Sequence, residues 1–409
     1  MEKLFDALLD KTFREKFLES KTKNKPNNER NLALKDYILG EGLCTDVERL
    51  RRGDYFLDLP YLIEVEKNST GEKRTLFVFR GTDHFLLSYM SYTLLCLYDH
   101  LFSDSLYSFR RERNRRTLIE RVHSELKNSD EHPYYAFKTD IKGYAKNIDQ
   151  DILLRKLSVI LEHDPNCLRF LSWLIQRNRY RTKDQTVDRN LSAMPGCPLA
   201  DFFTNVYLMD VDAYFEANCD LYCRFTDDIL VLCHDDQKTC NMLIHMRDMM
   251  RENKLELKPI KTELFSPNEP IELLGIRFDG PHMDISRESM ESGKLALRIN
   301  AKKAAQAIRK SGISREEAAR RYIAGSLWPF MKGREGENRY FARLFYPVVT
   351  RDDSFREIDR CLQHCVRYIL TGKWGKAQYR ATYAKLRSLG YISVVHLYHN
   401  IYKQDRPGL

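Results

Sequence analysis

The sequence contains no run of about eighteen apolar residues, so no segment of it reads as a membrane-spanning helix. Its opening, MEKLFDALLDKTFREKF, lacks the basic and then apolar regions of a secretion signal and follows a charged amphipathic helical pattern instead. Both absences point to a cytoplasmic protein with no membrane partner. Internal repeats of roughly 20–50 residues are missing too, which excludes a solenoid, and so are low-complexity tracts. The ten cysteines lack the paired spacing of a structural zinc site: the nearest approaches are Cys219 with Cys223 and CLQHC at 361–365. They stand in apolar contexts such as LLCLY and LVLCHD, as reduced thiols packed in a core do.

What is present is a chain of 409 residues, 43% apolar, long enough for two or three packed domains and too rich in Leu, Ile, Phe and Tyr to stay disordered. The net charge of +9 is unevenly spread. Residues 291–409 hold 24 Lys and Arg against 10 Asp and Glu, whereas the rest of the chain is mildly acidic. A basic C-terminal third suggests a surface for a polyanion, most often nucleic acid; a well-solvated helical surface would leave the same balance.

Residues 1–60 read as helices and loops. YLIEVEKNSTGEKRTLFVF (61–79) reads as a hairpin, with turn formers between two alternating apolar runs. YYAFKTDI (134–141) is strand-like, and the spacing of apolar residues predicts a helix over 149–176. SAMPGCPLADFFTNVYLMDVDAYFEA opens a second long helix near 198. DLYCRFTDDILVLCHDD (220–236) reads as a hairpin closed by an acidic turn. LELKPIKTELFS and IELLGIRFDG are two further short strands. From about 285 the pattern is all-helical, with SREE (314–317) and SFRE (354–357) as capping boxes and Gly372 as a C-terminal cap. The expected organisation is an N-terminal helical extension (1–60), a mixed α+β body (61–280) and a basic helical region (285–409).

Within FKTDIKGYAKNID (137–149), Asp140 ends a strand, and Asp227 with Asp228 forms the tip of a hairpin. Each position has an ordinary explanation, since aspartate favours turns and strand ends. Together the three carboxylates would repel one another unless a cation neutralised them. Carboxylates at the ends of buried strands are what two-metal phosphoryl transfer needs, with divalent ions about 3.5–4 Å apart, and oxygen-only ligands favour magnesium or manganese.

These residues resemble the reverse transcriptases, in particular the bacterial enzymes akin to those of group II introns and retrons. The resemblance runs in order from about 60 to 280. EKNSTGEKRTLFVF is similar to the fingers hairpin, LYSFRRERN to a Gly-Phe-Arg segment, FKTDIKGYAKNID to the palm motif of the first metal-binding aspartate, and MPGCPLADFFTNVYL to the Gly/Pro motif beside template and nucleotide. FTDD stands for the aromatic residue, variable residue and aspartate pair, LKPIKTELF for the lysine motif, and IELLGIRF for the primer-grip strand. The resemblance implies a right-hand polymerase of the α+β class, with fingers and palm on antiparallel sheet and an all-helical basic thumb. It implies catalysis by Asp140, Asp227 and Asp228 with two Mg2+ ions (Mn2+ as a substitute), Ile141 sharing the metal side. It also implies nucleotide contacts from Lys67, Arg74, Ile141, Tyr144, Ala145, Gly196 and Lys261. Gly196 would let the backbone approach a bound strand, and Asn205 would support the nucleotide pocket or bond within the palm. Nucleic-acid contacts fall to Arg110, Leu274, Gly275, Lys302, Lys303 and Trp374.

The implied activity is RNA-directed DNA synthesis from dNTPs on an RNA template, a dedicated non-coding RNA as in small stand-alone bacterial defence enzymes. By this reading no HNH-like Cys/His cluster is expected after the thumb, nor an RNase H domain in the residues that remain. A homo-oligomer or a partner protein is left open. Pro195 replaces a usual Gln, Phe225 a tyrosine, and Cys197 and Ala200 replace serines. Ala145 stands where the family usually carries an aromatic ring that stacks under the sugar and excludes a 2′-hydroxyl. Either Tyr144 swings in to replace that ring, or sugar selection is relaxed. The alternatives are a template-independent or protein-primed polymerase and a non-catalytic RNA-binding scaffold. Among the C-terminal aromatics, Phe341, Phe345 and Tyr398 read as core and Trp374 as a stacking surface.

Overall fold

The computed structural model describes residues 3–23, 28–66, 73–127, 133–177, 179–184, 187–189, 192–330 and 344–405. The chain divides into two compact units, Met1–Leu118 with His132–Pro267, and Ile119–Glu131 with Asn268–Leu409. This differs from the three-part division expected from sequence. The first 60 residues share a core with the fingers and palm, and the strands after 267 join the C-terminal helices. No helix among the described residues is long and apolar enough to cross a membrane.

The first unit opens with α1 (Lys3–Leu9), α2 (Lys11–Thr22), α3 (Glu29–Leu39) and α4 (Glu41–Arg52). Leu4, Phe5, Leu8, Phe17 and Ile38 from these helices are buried in one cluster with Leu86, Tyr89 and Met90 of α5 (Gly81–Leu97). This shared burial is why the N-terminal segment is no separate extension. The expected hairpin at 61–79 forms as β1 (Tyr61–Glu66) and β2 (Lys73–Val78). After α6 (Arg115–Lys127) and β3 (Tyr135–Asp140) comes the short helix α7 (Tyr144–Asn147).

The helix predicted over 149–176 is broken into α8 (Gln150–Ile160) and α9 (Pro165–Arg177). Pro165 has no N–H to continue α8, and the fully buried Asp164 caps α9: its Oδ1 accepts from Cys167 N at 3.3 Å. Its Oδ2 accepts from Leu4 N at 2.8 Å, in the first turn of α1. One carboxylate therefore satisfies the N-terminal amides of two helices. Asp164→Ala should lower stability by about 2–3 kcal/mol, read as a shifted urea midpoint, because it orphans donors at both helix starts.

β4 (Arg179–Arg181) and β5 (Val187–Arg189), which the sequence pattern did not reveal, extend the fingers sheet in the order β2-β1-β4-β5. The second long helix is also divided, into α10 (Ala200–Tyr207) and α11 (Met209–Asn218). Next come β6 (Leu221–Phe225), β7 (Asp228–Cys233), α12 (Asp236–Glu252) and β8 (Glu263–Phe265). They complete the antiparallel palm sheet, ordered β6-β7-β3-β8.

In the second unit, β9 (Ile271–Leu273), β10 (Ile276–Asp279) and β11 (His282–Ile285) form an antiparallel sheet. The strand expected over 271–280 is thus itself a hairpin, turned at Leu274 and Gly275, both with positive φ. A two-residue hairpin turn of the kind that matches strand twist needs that conformation. α13 (Arg287–Ser311), α14 (Arg315–Leu327) and the helix Asp353–Thr371 follow. Ser314 Oγ accepts from Glu317 N at 3.1 Å, as the first capping box requires. SFRE is not a cap: Ser354 lies buried inside a helix that begins at Asp353 and is preceded by Asp352, whose carboxylate grips Arg356 one turn on at 2.8 Å. Gly372 ends this helix with φ +71°. Phe345 and Tyr398 are buried in this unit's core, Tyr398 stacking on Phe355 at 4.7 Å, while Phe341 lies outside the described residues.

Candidate active site

The hairpin β6–β7 pairs Phe225 with Asp228, which leaves Thr226 and Asp227 as its two-residue loop. Thr226 has φ +56°, in the left-handed region that a β-branched residue rarely occupies. β7 also pairs antiparallel with β3, and that register sets Asp140 directly opposite Asp228. One residue further, Ile141 N donates to Asp227 O at 3.1 Å. Strand pairing alone therefore brings the three aspartates to one end of the palm sheet. Asp140 is buried, and Asp228 is half-buried. The Asp228 carboxyl is pushed up to about 6, first by burial and then by the charges of Asp227 and Asp140.

Lys258 and Lys261 both reach Asp140 at this acidic end. Lys258 Nζ lies 2.5 Å from Asp140 Oδ1, and Lys261 Nζ lies 3.5 Å from Oδ2. The main chain fixes their loop, because Lys258 N donates to Asp140 O at 2.8 Å and a 3₁₀ turn spans Pro259–Lys261. In such a turn residues three apart lie over one another, which explains why both ammonium groups reach one carboxylate. Lys258 was not singled out from sequence; the K-P-I-K spacing was its signal.

The Lys258 contact is an ion pair without hydrogen-bond angles, so Asp140 Oδ1 is a buried oxygen with no aligned donor. Such an oxygen beside two more carboxylates is a donor set suited to a hard divalent cation. Among the described residues, however, no three His, Cys, Asp or Glu side chains stand gathered into a finished metal cage. The residues fit a divalent metal in their chemistry and in the strands that carry them.

The family model described as "Reverse transcriptase (RNA-dependent DNA polymerase)" matches residues 65–278, just over half the chain and the stretch that holds all three aspartates. The chain belongs to the reverse transcriptase family. No curated protein matches it significantly. Among solved structures, the chain is similar to apo telomerase from Candida tropicalis truncated from its C-terminal domain, at 12% identity and TM-score 0.44, covering 59% of each chain. Telomerase from Candida tropicalis in complex with a fragment of telomeric RNA matches at 11% identity and TM-score 0.45, over 84% of this chain and 65% of that one. The Candida albicans counterpart matches at 10% and 0.45, over 91% and 67%.

The remaining expected positions of the chain are spread more widely. Tyr144 is buried and its hydroxyl donates to Thr204 O at 2.5 Å, so it packs into the palm core. Burial is the main force raising its phenol above the ordinary range. Ala145 is half-buried on the one-turn helix α7, and Ile141 is fully buried in a bridge with Leu257. Arg74 is exposed on β2 opposite Val65, while Lys67 lies outside the described residues.

Gly196 has φ +94°, and a Cβ there would stand 3.0 Å from Leu76 Cβ and 3.1 Å from Phe77 N. Phe77 N in turn donates to Pro195 O at 2.8 Å. The approach this glycine permits in the folded chain is to fingers strand β2. Gly196→Ala should cost about 2 kcal/mol of stability, measured by thermal or chemical unfolding, from unfavourable φ together with backbone collision.

Arg110 is turned inward: its side chain is 5% exposed, forks onto Asp99 at 2.7 and 2.9 Å, and donates to Ser103 O. The structure thus gives it a bracing job inside the first unit instead of a nucleic-acid contact. Asn205 is also internal, exchanging hydrogen bonds with Ser108. In the second unit, Leu274 and Gly275 form the β9–β10 turn, and Lys302 and Lys303 are exposed on α13. Trp374 is 45% exposed and stacks on Tyr368 at 4.2 Å, leaving an accessible indole surface.

Proposed function

We propose that this chain is an RNA-directed DNA polymerase that joins dNTPs to a 3′-hydroxyl end along an RNA template. The observation that carries the reading is the β3–β7 register, which sets Asp140 opposite Asp228 with Asp227 joined to Ile141. Asp140, Asp227 and Asp228 would hold two Mg2+ ions, for which Mn2+ can substitute. When bound, such ions supply charge to the attacking and leaving oxygens of phosphoryl transfer. The protein's own residues orient the reactants: the palm strands fix the carboxylates, and Lys261 with Arg74 offers positive charge to the triphosphate. The basic, partly aromatic second unit would bind the template and its DNA product. By its likeness to small stand-alone bacterial enzymes, the template is a dedicated non-coding RNA and the setting an anti-phage defence system in the cytoplasm.

A second reading concerns the sugar. With Tyr144 tied to Thr204 O and Ala145 carrying only a methyl group, nothing on α7 supplies an aromatic ring beneath the nucleotide sugar. Relaxed discrimination between dNTPs and rNTPs is the expected result.

The purified chain, given Mg2+, dNTPs and its co-purifying RNA, should make DNA that survives RNase and yields to DNase. Asp227→Ala should remove that product. DNA synthesis unchanged by the substitution would overturn the assignment.

A further inference from the structure

Arg224 has no exposed surface, and its carboxylate partner among the described residues, Asp212 on α11, has almost none. Its Nε and Nη2 fork onto the two Asp212 oxygens, each at 2.6 Å, and Tyr222 Oη adds a third bond to Asp212 at 2.8 Å. The remaining arm, Nη1, donates to Thr226 O at 3.1 Å. That carbonyl belongs to the peptide group joining Thr226 to Asp227. The Arg224 main chain is held as well, its N–H on Ser105 O and its C=O taking Tyr107 N–H, both at 2.9 Å.

An apolar trio of similar volume would fill this space with no desolvation cost, so a buried ion pair is a poor device for stability alone. It does something apolar packing cannot: it directs a donor at one carbonyl. Thr226 sits in an unfavourable conformation, and residues held that way persist only where their surroundings over-determine them. The hydroxyl of Thr226 lies 2.8 Å from Asp227 Oδ1, so rotating its peptide would move the catalytic carboxylate directly.

We propose that Arg224, oriented by Asp212, is a positioning residue that fixes the Thr226–Asp227 peptide and thereby aims Asp227 toward Asp140 for divalent-metal binding. The inference rests on the reading that these aspartates hold a metal. It adds a residue outside the acidic cluster whose loss weakens metal binding with Asp140, Asp227 and Asp228 all still present.

The test uses the full chain and Mn2+ as the probe, titrated by calorimetry or electron paramagnetic resonance. The triple variant Asp212→Leu, Tyr222→Phe, Arg224→Met removes the whole polar group without leaving an unpaired charge. With cooperative melting retained, it should bind Mn2+ about 10-fold more weakly or worse, as when a group that orients a metal ligand is lost. The Mg2+ concentration for half-maximal incorporation should rise by a similar factor. Arg224→Lys, which keeps the charge and loses the fork, should shift both in the same direction and serves if the triple variant does not fold. Mn2+ affinity within about twofold of the unsubstituted chain in a folded variant would overturn the proposal. If the unsubstituted chain binds Mn2+ and the variants lose it, yet none incorporates nucleotides, the polymerase reading fails and the positioning role stands.

Discussion

Asp140→Asn is expected to reduce nucleotide incorporation by on the order of 10^3-fold or more, since a charge directly beside the reacting phosphoryl group is worth several kcal/mol. Single-nucleotide extension under excess Mg2+ checks it. The companion change Asp228→Asn should show the opposite face of the same arrangement. Burial together with Asp227 and Asp140 makes the ionised Asp228 unfavourable in the folded chain. A neutral isostere should therefore raise metal-free stability by about 1 kcal/mol while activity falls. Unfolding curves recorded in EDTA read that gain. A loss of stability in both variants would mean that the carboxylates are bound up in structural bonds and are not held apart for a cation.

Ala145→Phe should shift nucleotide choice at least ~10-fold toward dNTPs, because a ring placed against the sugar penalises a 2′-hydroxyl by a contact worth about 1–3 kcal/mol. The expectation depends on Tyr144 being unable to take that place. Leaving the core would break its bond to Thr204 O and open a cavity where the ring now packs. Incorporation measured with each dNTP and its rNTP competitor checks it, and an unchanged ratio would show that another residue sets sugar choice. Tyr144→Phe gives the control: it should alter stability more than selectivity.

Much of this site was legible because its determinants are local. Asp140, Asp227 and Asp228 follow apolar alternation with abrupt acidic ends, and strand period together with turn chemistry locates such residues without tertiary knowledge. The Leu274-Gly275 turn was visible as residues, though its double positive φ was not. What escaped depends on partners far away in sequence. Arg110 reads as one cation of a basic surface run until Asp99 turns it inward. Lys258 reads as an ordinary surface lysine until the 3₁₀ turn superposes it on Lys261. Arg224 lies in a motif dominated by its aspartates, and its role depends on Asp212, reached only through α11. The first 60 residues look separable because their own composition is complete. Their apolar faces nonetheless complete their burial only against α5 and the rest of the first unit.

The Asp164 cap also has a temporal side. The carboxylate that closes the start of α1 lies 160 residues downstream of Leu4. At roughly 5–20 residues per second, a ribosome needs on the order of 8–30 s to supply it after α1 has been made. During that interval the start of α1 lacks the acceptor that Asp164 later supplies to Leu4 N. Residues of α5 that bury the apolar faces of the N-terminal helices are made well before residue 164, so what waits for Asp164 is the native hydrogen bonding at the start of α1.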